Sequence, residues 1–170
     1  FFARSIDAEV NLTTECMVAA SKHDGLSVIE VLVNCMIFNN GTHKAFAGDK
    51  EVRAEHTITL RQGEKMLFGK NMDKGLMLDN MKLKVVTVGE NGVTLDDILV
   101  HDAHEKDTMV HVMLASMKYP DFPVALGIIR DVAEPTYERE VARQIAEVQA
   151  TAKIKNVDDL LNSGETWEVE

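Results

Sequence analysis

Two cysteines and six histidines are the side chains of this chain best able to hold a metal or act as nucleophiles. Cys35 follows an apolar run and lies in Asn34-Cys35-Met36-Ile37-Phe38-Asn39-Asn40-Gly41. A thiolate where a strand gives out lies at the end of the sheet where α/β proteins bind ligands, and it suits a soft metal or an iron–sulfur cluster. On its own, the same residue also reads as an inert buried thiol. Cys16 falls within a helical pattern beside Met17 and Val18 and reads as a small core hydrophobe. Two thiols build no disulfide framework and bind no metal unaided, so a site at Cys35 must draw its other ligands from residues outside this chain. His43 shares the loop of Cys35 and reads either as a solvent-facing loop residue or as part of a site. His101 and His104 are three apart and could ligate a metal with Asp102 or Asp107 if one helical face carried them, but no third ligand stands at motif spacing. Gly48-Asp49-Lys50 has the start of a Gly-Asp-Gly cofactor motif, yet Lys50 replaces the second glycine and no asparagine follows at the usual distance. No Gly-x-Gly-x-x-Gly, phosphate loop or Gly-x-Ser-x-Gly is present.

The elements that must position Cys35 read as β-α-β over residues 1–45. Phe1 to Ser5 is a strand end. Asp7 to His23 sets Val10, Thr14, Met17, Val18 and Ser21 at helical spacing and stops at Asp24-Gly25. Leu26 to Val33 is β-branched and nearly all apolar, which predicts a central strand covered on both faces. This is the closing unit of a doubly wound α/β sheet. Beyond it, glycine recurs and short strands fit Thr57–Leu60, Met66–Phe68 and Lys82–Val88. Thr94-Leu95-Asp96-Asp97 is a helix start, Thr108–Met117 a helix, Val124–Arg130 a strand, Thr136 to about Ala152 a second helix, and Asp158–Leu161 one further turn. Nine methionines and many short elements suggest that the region after residue 45 is an arm packed on a partner rather than an autonomous core.

The chain has 170 residues, 45% hydrophobic and 27% charged, with 18 Lys plus Arg against 28 Asp plus Glu and a net charge of −10. That is ordinary for a globular domain. Without clustered cations it lacks a phosphate-tracking surface, which argues against nucleic acid. Without a long apolar run or a basic leader it reads as a cytoplasmic, non-membrane protein. It opens on Phe1-Phe2-Ala3-Arg4 with no Met, as if within a strand, which suggests a fragment.

The run Ser27 to Gly41, with its Asn-Cys-x-x-Phe-Asn signature at Asn34, Cys35, Phe38 and Asn39, resembles the thiamine diphosphate-binding beta subunit of 2-oxoacid:ferredoxin oxidoreductases, the 2-oxoglutarate type above all. Phe2-Ala3-Arg4-Ser5-Ile6-Asp7, Phe68-Gly69-Lys70, Lys74-Gly75, Leu99-Val100-His101-Asp102, Pro123-Val124-Ala125-Leu126-Gly127 and the ending Asp159 to Trp167 continue it along the whole chain. The resemblance implies residues 1–45 as the end of the thiamine diphosphate-binding domain and 46–170 as the subunit's C-terminal region. It implies a thiamine diphosphate, magnesium and 4Fe-4S enzyme that decarboxylates a 2-oxo acid with coenzyme A. Its partners are then an alpha subunit and ferredoxin. Cys35 matches the fourth cluster ligand, with Asn34, Phe38, Asn39 and His43 on the cofactor side of the loop.

The family's other three cysteines and its Gly-Asp-Gly with downstream Asn are missing here. The resemblance therefore implies the C-terminal half of a beta subunit, lacking its N-terminal half, with no cofactor expected on this chain alone and no catalysis by itself. The alternative is a non-catalytic interaction module that uses the Met-rich helix at Thr108–Met117 and the arm after residue 45 to bind a partner subunit.

Overall fold

The computed structural model describes residues 1–165 and Trp167. They divide into two compact units, Phe1–Glu134 and the segment from Pro135 onward. In the first unit, β1 (Phe2–Ile6), α1 (Val10–Lys22) and β2 (Val28–Leu32) form the expected β-α-β, with β1 and β2 parallel. After the short helices α2 (Lys44–Ala47) and α3 (Lys50–His56) comes β3 (Thr57–Leu60). β4 (Leu67–Phe68), β5 (Lys74–Asp79) and β6 (Lys82–Thr87) make an antiparallel sheet of their own. A 3-10 turn (Leu95–Asp97), α4 (Met109–Ser116) and β7 (Val124–Arg130) complete the unit.

The main sheet runs β2-β1-β7-β3, with β7 antiparallel to β1 and parallel to β3. The class is α/β, and the sheet is mixed. Strands from both sides of residue 45 thus share one sheet. The strand buried on both faces is β7. Its Ala125 and Ile129 join Ile58, Leu60, Met66, Leu76 and Leu114, while Val124 and Leu126 pack with Ile6 on the other face, against Leu12, Leu32 and Phe46. Burial of each large aliphatic side chain there contributes roughly 1.5–3 kcal/mol. The region after residue 45 therefore carries the larger core cluster, contrary to the arm expected from its methionines and short elements.

Two further expectations are corrected. Among the described residues β2 is an edge strand, with only β1 beside it and Val28 46% exposed. An apolar run records that a strand avoids water, but not whether its neighbours belong to this sheet. In α1 the stripe Val10, Met17, Val18 faces outward, and the helix packs through Leu12, Thr13 and the fully buried Cys16, with Thr13 Oγ1 donating to Ser5 Oγ at 3.0 Å.

The second unit holds α5 (Tyr137–Thr151) and α6 (Val157–Leu161). Thr136 caps α5 by accepting from the Arg139 N–H, Arg143 pairs with Glu140 and Glu147, and Asn156 caps α6 through the Asp159 N–H. Thr166, within the chain-end match, lies outside the described residues.

Candidate functional site

Asp7, the residue after β1, fastens the end of β2: its N–H donates to the Leu32 carbonyl at 3.1 Å and its Oδ2 accepts from the Asn34 N–H at 3.2 Å. The chain then makes a loop from Asn34 to Gly41. The Asn39 N–H closes on the Cys35 carbonyl at 3.0 Å, and the Phe38 N–H donates to Cys35 Sγ at 3.4 Å. Asn34 reaches across with its side chain, Oδ1 accepting from the Gly41 N–H at 2.7 Å and Nδ2 donating to Asn40 Oδ1 at 3.1 Å. Asn39 Nδ2 donates to Thr42 Oγ1 at 2.9 Å.

Cys35 is half-buried, whereas the neighbouring Met36, Ile37 and Phe38 are 72%, 85% and 90% exposed. Backbone N–H groups, first that of Phe38 and then those of Ile37 and Asn39, hold its thiol below the ordinary cysteine value against the opposing effect of desolvation. Cys16 is the opposite case: burial, helped by the Glu15 charge, pushes its thiol up. Of the two thiols, only Cys35 is both reachable and favoured as a thiolate.

His43 does not meet Cys35. Its ring lies 5.3 Å from that of Phe46, and it lines a cleft of about 270 Å³ with Asp7, Asn34, Asn40, Lys44 and Gly48. Cys35 is not among that cleft's lining residues, so Asn34 and Asn40 link the thiol-bearing loop to it. Asp7, Asn40 and Lys44 carry no motif and were not legible as site residues, apart from the Asn39-Asn40-Gly41 turn signal.

The other chemical candidates resolve into structure. His101 and His104 occupy a loop instead of one helical face, and each is engaged with a backbone carbonyl: His101 Nε2 with Ile128 at 2.8 Å and His104 Nδ1 with Asp131 at 2.7 Å. Among the described residues no group of three or more His, Cys, Asp or Glu side chains is placed to hold a metal ion. Asp49 is the N-cap of α3, with one oxygen accepting from the N–H groups of Glu51 and Val52 at 3.0 and 2.9 Å, so the Gly48-Asp49 pair is a capping device. No helix among the described residues is long and apolar enough to cross a membrane.

A mixed α/β sheet ending in a thiol-bearing loop is the frame that the sequence resemblance implies. Comparison with known proteins points in the same direction: the whole chain is similar to part of an oxidoreductase subunit. The particular relative is the 2-oxoglutarate oxidoreductase subunit KorB of Mycobacterium tuberculosis, 31% identical over 173 aligned positions that take in the whole of this chain. The chain spans 45% of that protein's length. No protein-family model matches the chain, and no solved structure is a match.

Proposed function

We propose that this chain is the C-terminal half of the beta subunit of a 2-oxoacid:ferredoxin oxidoreductase, with 2-oxoglutarate as the favoured substrate, and that Cys35 ligates its 4Fe-4S cluster. The observation that carries the reading is the loop 34–41, in which backbone N–H groups surround a reachable sulfur. Such donors stabilise a metal-bound thiolate, and hydrogen bonds to the sulfurs help to set a cluster's potential. The end-to-end similarity to a 2-oxoglutarate oxidoreductase subunit supports the substrate class.

One thiolate fits one corner of a cluster. The remaining three ligands have to come from other residues of the complete enzyme, because Cys16 is buried in α1. Asp49, the one carboxylate that resembles a magnesium ligand in the sequence, already serves a helix N-terminus. On the family resemblance, thiamine diphosphate and magnesium are placed on the other half of the subunit, and no catalytic step is assigned to a side chain here. The overall reaction joins coenzyme A to the acyl group left when the 2-oxo acid releases carbon dioxide, and two electrons pass to ferredoxin, one to each of two oxidised molecules. An alpha subunit completes the assembly.

In the alternative reading, an interaction module, α4 turns Leu114 inward, packs on β7 and ends at the buried Met117, which leaves Met109 and Val112 as its exposed contact surface. The test is acceptor reduction by the full-length subunit assembled with its partner. Reduction of a low-potential dye is expected only when 2-oxoglutarate, coenzyme A and thiamine diphosphate are all present. Reduction that is indifferent to any one of them would remove the assignment. A tenfold preference for pyruvate, equivalent to about 1.4 kcal/mol, would overturn the substrate and keep the class.

A further inference from the structure

We propose that Asn34 is a positioning residue for Cys35: its side-chain amide ties the two ends of the loop 34–41 together and thereby fixes the direction in which the sulfur faces. The inference rests on the reading of Cys35 as a cluster ligand. The loop has little else to hold it. Met36, Ile37 and Phe38 are exposed, so side-chain packing of the tip contributes nothing to its order. What remains is hydrogen bonding. At the near end, the Asn34 N–H is held by Asp7 Oδ2. At the far end, Gly41 has a φ of +79°, which turns its N–H back onto Asn34 Oδ1 at 2.7 Å. Open space surrounds the position a Gly41 side chain would take, so the glycine is there for its backbone conformation. The same amide donates through Nδ2 to Asn40 Oδ1 and, at 3.3 Å, to Met36 Sδ.

The amide supplies an acceptor for Gly41 and, from a separate atom, a donor for Asn40, which sets the two contacts apart on one short side chain. Aspartate would lose the donor and add a charge close to Asp7. Leucine has nearly the same size and offers neither group. With the ends tied, the Cys35 carbonyl and the Phe38 N–H are held in place, and the N–H···S contact is formed before any iron arrives. Without the tie, binding iron would first have to order the loop, which weakens the metal–ligand bond.

The test has two readings. Amide hydrogen exchange on the iron-free full-length subunit compares the native sequence with Asn34→Leu. Exchange at Gly41 and Phe38 is expected to rise about tenfold, as for the loss of one to two hydrogen bonds, while the β7 amide of Leu126 keeps its rate. Asn40→Ala, which removes one of these bonds without touching Asn34, should raise the same rates by less and guards against a misfolded Asn34 variant. In the iron-loaded full-length subunit, Asn34→Leu should release iron to a chelator about 10–100-fold faster, the usual range for loss of an outer-shell partner. Unchanged exchange at Gly41 and Phe38 overturns the proposal. Faster exchange with unchanged iron release overturns the link to the cluster. Retention of iron by Cys35→Ser would instead remove the ligand reading beneath it, and the exchange result would stand apart from that failure.

Discussion

The Phe38 N–H points at the sulfur of Cys35 across 3.4 Å, inside a loop whose other apolar side chains face outward. Small as it is, this contact separates the two cysteines chemically. One sulfur has access and three backbone donors, and the other is buried with its own N–H as the donor named for it.

Alkylation of the folded chain should therefore be selective. At neutral pH iodoacetamide is expected to modify Cys35 more than about tenfold faster than Cys16, because thiolate fraction and access both favour Cys35. Peptide mapping after partial labelling reads the ratio. Equal rates in the native protein, with equality not due to unfolding, would contradict the burial and hydrogen bonding described for the two residues.

Gly127 in β7 should tolerate no side chain. Its φ is +97° and a Cβ would lie 2.6 Å from the Leu60 carbonyl oxygen of the neighbouring strand, so backbone has to move. Gly89 has a similar φ of +89° and open space around it. Denaturant unfolding should show Gly127→Ala losing about 2–4 kcal/mol, and Gly89→Ala about 1 kcal/mol, which separates the clash from the conformational cost. Equal losses would mean that β3 and β7 do not approach as described.

Acid should loosen the first unit through His101. Burial is the main reason its pKa lies below the ordinary histidine value of 6.5, with the His111 charge adding to it, and its Nδ1 is buried with no hydrogen-bond partner among the described residues. Since the folded pKa is depressed, the unfolded chain binds more protons between that pKa and 6.5. Stability is then complete above 6.5 and falls as pH drops through this window. His101→Gln should flatten that fall, seen as a smaller loss of melting temperature on acidification. An unaltered slope would assign the acid sensitivity to other groups.

How far the sequence reached depended on what each pattern encodes. Val124–Arg130 and Thr57–Leu60 were placed at their true bounds because their apolar content and flanking turns leave little choice. β5 was missed although it pairs with β6 along its whole length, because the turn between them places Asn80 and Met81 at φ of +48° and +62°, and methionine gives no turn signal. α3 goes unread because its seven residues, Lys50–His56, are too few for an apolar period to show. The outward stripe of α1 shows a different limit. Periodicity identifies a helix with two unlike faces, and the burial of Leu12, Thr13 and Cys16 marks which one meets the sheet. At the site, Cys35 and its loop stand out in the sequence through the family resemblance, since the cysteine alone reads equally as an inert thiol. The Asp7 anchor and the Asn34 to Gly41 tie do not, since both depend on where β1 leaves the chain.

The central claim is that Cys35 holds a cluster, and iron content tests it most directly. In the full-length subunit assembled anaerobically, Cys16→Ser should retain the iron and visible absorption of the native enzyme. Cys35→Ser should lose most of both, because a hydroxyl is a poor substitute for one thiolate of four. Native iron content in the Cys35 variant would contradict the account.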